Sequence, residues 1–142
     1  MLKMDEENEF LDYLLRLDEV SVILKTHLRV EQNIDKILSK NFKFPDNLLK
    51  WSFTNKINIL RAIGILDENF FQKFKKFNDL RNKFSHKYNY KLNSEDINFL
   101  ESINVNKNLI VPNELKEIPR IKEMTQISSV GAYLEGFLSI HL

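Results

Sequence analysis

The chain has no cysteine among its 142 residues, which removes disulfides, thiolate catalysis and cysteine-ligated zinc together and fits a reducing compartment. Three glycines and three prolines are too few for the turn-dense chains of β-sandwiches and barrels. The three glycines, Gly64, Gly131 and Gly136, stand too far apart to form a phosphate-cradling loop, and no Gly-x-Ser-x-Gly elbow is present. His27, His86 and His141 are scattered, and no carboxylate pair has two-metal spacing, so neither a metal nor a cofactor is expected. No apolar run approaches the ~20 residues that span a bilayer. The opening Met-Leu-Lys-Met-Asp-Glu-Glu has no basic region leading into an apolar stretch. The expectation is a soluble, cytoplasmic protein with no membrane partner. A net charge of +1 gives no global basic excess of the kind that advertises a nucleic-acid partner.

What remains is ordinary globular material, 43% hydrophobic, of a length that suits one domain with one core. Its patterning is helical. Phe10, Leu14 and Leu17 mark one amphipathic stretch, and Val20, Ile23, Leu24, Ile34, Ile37 and Leu38 another. These form either one helix or two, with Asp18 as N-cap of the second if the chain kinks there. Residues 41–46 contain Phe-Pro-Asp and read as a loop. Phe53, Ile57 and Leu60 repeat at helical spacing and stop at Gly64, a helix-ending signal. Asp67 then caps a segment in which Phe70, Phe74, Phe77, Leu80 and Phe84 form an aromatic stripe, read as core. Ser94 to Ile103 is a short capped helix. Residues 104–120 read as an irregular loop, with 108–112 the one stretch that weakly suggests a strand. Met124, Ile127, Val130, Leu134 and Phe137 mark a final helix over about 121–140. The expected fold is all-α: one helical-bundle domain with its core over about 5–103.

Charge is unevenly placed. Lys73, Lys75, Lys76, Arg81, Lys83, Lys87 and Lys91 face a lone Asp79 between them, either a solvated helix face or a phosphate-attracting stripe. Stepping about 100° per residue from Leu80 puts the apolar stripe near 60° and Arg81 near 100°, at its edge. Asp79, Asn82 and His86 make a separate polar line at i, i+3 and i+7. A desolvated guanidinium needs a carboxylate. Glu31, one helical turn after His27 on the apolar face of the preceding long helix, is the candidate partner for Arg81; otherwise both side chains snorkel to solvent.

Metal-free RNA cleavage needs the 2′-hydroxyl deprotonated, the leaving oxygen protonated and the charge on phosphorus stabilised. Histidine transfers protons in both directions near neutrality. Arginine holds phosphate bidentately and stays charged, and asparagine can orient phosphate or sugar through its amide. Arg81, Asn82 and His86 supply all three within six residues.

Leu80-Arg81-Asn82-Lys83-Phe84-Ser85-His86 resembles the Arg-Asn-x3-His form of the HEPN superfamily signature. That resemblance implies a helical bundle that dimerises so that two motifs line one cleft, and a metal-independent endoribonuclease acting as a toxin or antiphage effector. Arg81 and His86 would be the catalytic pair, Asn82, Glu31 and Asp79 supporting residues, and Lys83 and Lys87 RNA contacts. His86-Lys87-Tyr88 extends the motif to Arg-x4-His-x-Tyr, similar to toxins paired with a nucleotidyltransferase-type antitoxin. In those, the tyrosine matching Tyr88 accepts AMP; the alternative reading of Tyr88 is that it continues the Phe84 stripe. The stretch from Ser52-Phe53 through Gly64 also looks like the mannitol-operon-repressor branch, which implies the alternative of a non-catalytic regulator or adaptor binding a protein partner. The resemblance covers about Asp18 to Tyr88.

Overall fold

The computed structural model describes residues 2–87, 89–103 and 121–142, with side chains from Glu19 and, in the last segment, from Glu123. The described residues form six helices and no strand. They are α1 (Leu2–Asn41), α2 (Asp46–Leu49), α3 (Phe53–Ala62), α4 (Glu68–His86), α5 (Ser94–Ile103) and α6 (Ile121–Ser139). The all-α expectation therefore holds. The one-or-two-helix question resolves to one: α1 runs through Leu17-Asp18 for 40 residues, about 60 Å at 1.5 Å per residue. Nothing at that junction forces a break, since neither proline nor glycine occurs there and Asp18 costs only a few tenths of a kcal/mol within a helix, roughly.

Local chemistry sets most of the other boundaries. Ser52 accepts from the Asn55 amide to start α3, and Asp67 accepts from the Phe70 amide at 2.8 Å to start α4, each satisfying an otherwise orphan donor. Between them Gly64 takes φ +84°, a left-handed conformation open to glycine at little cost. The Ile65 and Leu66 amides then return to the Leu60 carbonyl and close α3. At α5 the cap lies one residue before Ser94: Asn93 Oδ1 accepts from the Asp96 amide, and Asp96 Oδ2 accepts from the Asn93 amide, a reciprocal capping box.

Helix α1 is the spine, packing most extensively on α6 and also on α3 and α4. The core joins Ile23, Val30, Ile34, Ile37 and Leu38 of α1 to Phe53, Ile57 and Leu60 of α3, to Phe74, Phe77 and Leu80 of α4, and to Ile127, Val130, Leu134 and Leu138 of α6. Gly131 lets α6 lie close against α1; a Cβ there would lie 1.8 Å from Thr26 Cγ2. Phe70 stacks on Phe137 at a centroid distance of 3.8 Å, seating the start of α4 against α6. No described helix is long and apolar enough to cross a membrane.

Candidate functional site

Helix α4 carries every residue of the Arg81–His86 motif, so its burial pattern decides what each can do. The buried positions are Phe71, Phe74, Phe77, Asn78, Leu80 and Phe84. Adding Phe71 and Asn78 widens the buried arc to about 180°, and Arg81, near 100° on the same wheel, lies within that arc rather than at its edge. It is half-buried all the same, because it sits near the helix's C-terminal end. The guanidinium Nη1 donates to Asn82 Oδ1 at 3.2 Å, and no carboxylate among the described residues pairs with it. Asn82 is half-buried, while Asp79 and His86 are exposed. His86 is the last residue of α4.

Glu31 does not pair with Arg81. Its carboxylate accepts from Lys56 Nζ at 3.0 Å, and Asp35 Oδ1 stands 2.8 Å from the same ammonium as an ion pair without hydrogen-bond alignment. Lys56 is only 3% exposed. Burial pulls its pKa down, but the two carboxylates outweigh that and hold it above the usual lysine value. The physical reason for the correction is competition. A cation buried on α3 between Phe53 and Ile57 faces the same turn of α1 and has the greater need of a counter-charge. Lys56 was open to discovery from the sequence, since on a helical wheel it falls about 40° from Leu60, at the border of the Phe53, Ile57 and Leu60 face.

His27 lies between the two charge systems. It is buried, with Nε2 2.9 Å from Asn78 Oδ1 and its ring near those of Phe53 and Phe77. Burial lowers its pKa to about 4; Glu31 and the Asn78 hydrogen bond oppose the shift and Arg81 reinforces it. The ring is neutral at pH 7 and donates from Nε2, fixing α4 against α1 one turn before Arg81.

The remaining basic residues are dispersed. Lys83 Nζ pairs with Asp96 Oδ1 at 3.1 Å, so this expected RNA contact is already engaged within the chain. Lys73 lies over the Phe70 and Tyr133 rings, and Lys87, exposed, over Tyr90. Stepping around α4, the lysines point in several directions, which removes the idea of one phosphate stripe. Asp96 is the hub of this end of the molecule. Buried at the start of α5, it takes Lys83, the Asn93 amide and the Tyr90 hydroxyl. Burial and then Asp96 push the Tyr90 pKa up. The Asn93-x-x-Asp96 spacing was the available signal for this hub. Tyr88 falls outside the described residues, as does the loop over 104–120.

Arg81, Asn82 and His86 thus share one helix end, but Arg81 and His86 diverge by about 140° and are separated by roughly 7.5 Å along the axis. The Arg81 guanidinium and the His86 imidazole therefore leave α4 on different sides. Among the described residues no group of three or more His, Cys, Asp or Glu gathers to hold a metal ion. No family model, no curated protein and no solved structure matches this chain.

Proposed function

We propose that the chain is a metal-independent endoribonuclease of the HEPN type, acting as a homodimer in which facing copies of Arg81 and His86 form one cleft. The observation that carries this reading is the half-buried Arg81, whose guanidinium has Asn82 Oδ1 and no carboxylate as its partner among the described residues. A guanidinium in such a setting without a carboxylate is unusual, and a phosphate of RNA supplies the missing anion bidentately. His86 of one copy takes the 2′-hydroxyl proton and the 2′-oxygen attacks phosphorus. The 5′-oxygen leaves with a proton from the second copy's His86, giving a 2′,3′-cyclic phosphate and a 5′-hydroxyl. Arg81 stabilises the charge that builds on the phosphoryl oxygens. The role is that of a toxin or antiphage effector, silenced by an antitoxin of nucleotidyltransferase type acting on Tyr88.

Subunit mixing tests this. Wild type and His86→Ala, exchanged in equal amounts, retain about a quarter of the cleavage activity if the cleft needs both histidines, and about half if each copy works alone. A half-active mixture contradicts the shared cleft. A wild type with no cleavage moves the function to the adaptor reading, which the exposed Phe44 and Trp51 flanking α2 favour.

A further inference from the structure

A groove of about 480 Å³ opens between α4 and α5, within the ~300–1,000 Å³ of small-molecule sites. Lys76, Asp79 and Lys83 line it from α4, and Glu95, Asn98 and Phe99 from α5. Lys83 is neutralised by Asp96. Among the described residues that leaves Lys76 against the carboxylates of Asp79 and Glu95, neither of which has a partner.

We propose that this groove is the subsite for an unpaired guanine base of an RNA strand, with Asp79 accepting from its Watson–Crick edge and Phe99 giving a stacking face. The identification of the strand rests on the nuclease reading, through position. Asp79 and His86 lie seven residues apart, within about 20° on the same side of α4 and about 10 Å along its axis. A strand whose scissile phosphate lies at His86 therefore brings a neighbouring base to the groove. The charge balance selects the part of the strand that enters. A negative groove repels phosphate and accepts the uncharged base. Phe99 is half-buried and offers a ring to a splayed-out base, the usual mode for single-stranded RNA. The donor pattern selects which base. Guanine presents N1–H and N2–H side by side, matching the two oxygens of one carboxylate. Adenine and cytosine set an acceptor beside their amino group, and uracil flanks its single N–H with carbonyls. Asn98 has amide donors for the guanine carbonyl.

The test uses the full-length His86→Ala protein, so that strands stay intact. Fluorescence anisotropy compares oligouridine strands carrying one guanosine, one inosine, which lacks the N2 amine, or neither. The guanosine strand is expected to bind about tenfold more tightly than the inosine strand, one charge-assisted hydrogen bond. Adding Asp79→Asn should shrink that preference to within about twofold, and Phe99→Ala should weaken all three strands. Equal binding of the three strands, no binding, or a preference that survives Asp79→Asn overturns the subsite. Cleavage by the wild type is read separately. Guanosine selectivity without cleavage keeps the subsite and removes the nuclease, whereas cleavage without selectivity does the reverse.

Discussion

Lys56 on α3 and Arg81 on α4 are two cations set into apolar arcs beside the same stretch of α1, and the fold treats them oppositely. Lys56 is nearly sealed, 3% exposed, and holds both Glu31 and Asp35. Arg81 is half-buried beside the same helix and, among the described residues, its guanidinium bonds a neighbouring amide and no carboxylate. Glu31 and Asp35 are committed to the lysine, and under the proposed function the arginine's charge is left to an RNA phosphate. On that reading, structural charge and functional charge are separated by which cation captured the counter-ions, a distinction that burial alone does not draw.

Substitutions sharpen that contrast. Arg81→Ala should lower RNA cleavage by about 10²–10³-fold while leaving the thermal unfolding midpoint nearly unchanged, read by circular dichroism. Lys56→Met should do the reverse. It leaves two adjacent carboxylates without their cation and costs about 3–5 kcal/mol of stability in urea unfolding, with the activity of the folded fraction retained. If Arg81→Ala unfolds the protein and Lys56→Met does not, the contrast is broken.

His27 supplies the pH test between the two systems. Its folded pKa, about 4, lies below the unfolded 6.5, so the unfolded chain takes up the extra proton. The associated stability is fully present above pH 6.5 and is lost as pH falls towards 4, roughly 3 kcal/mol in all. His27→Gln should flatten that slope in urea titrations run from pH 7 to pH 4. The smallest effect belongs to the α5 cap, where Asn93→Ala should cost about 1 kcal/mol.

Local signals carried much of the fold. Asp67 and Gly64 mark helix ends because each acts through its own backbone neighbourhood, and the Phe74, Phe77, Leu80 and Phe84 stripe is core as its spacing implies. The partner of Glu31 was not legible in the same way. Arg81 and Lys56 both offered a cation at helical positions that could face α1, and only the packing of α3 against α1 decides between them. Using Phe70 rather than Phe71 to define the stripe hid Asn78, and with it the His27 hydrogen bond that positions the turn before Arg81. The Lys83–Asp96 pair was not legible either, because Asp96 comes from the next helix. The motif residues themselves are adjacent in sequence, and their common helix end followed directly from that.

Under the proposed function, Arg81 and His86 cut RNA without a metal. Incubating purified wild type and His86→Ala with total cellular RNA in EDTA tests it most directly. Degradation by the wild type alone is the expected result. RNA left intact by both proteins, or cut equally by both, would contradict it.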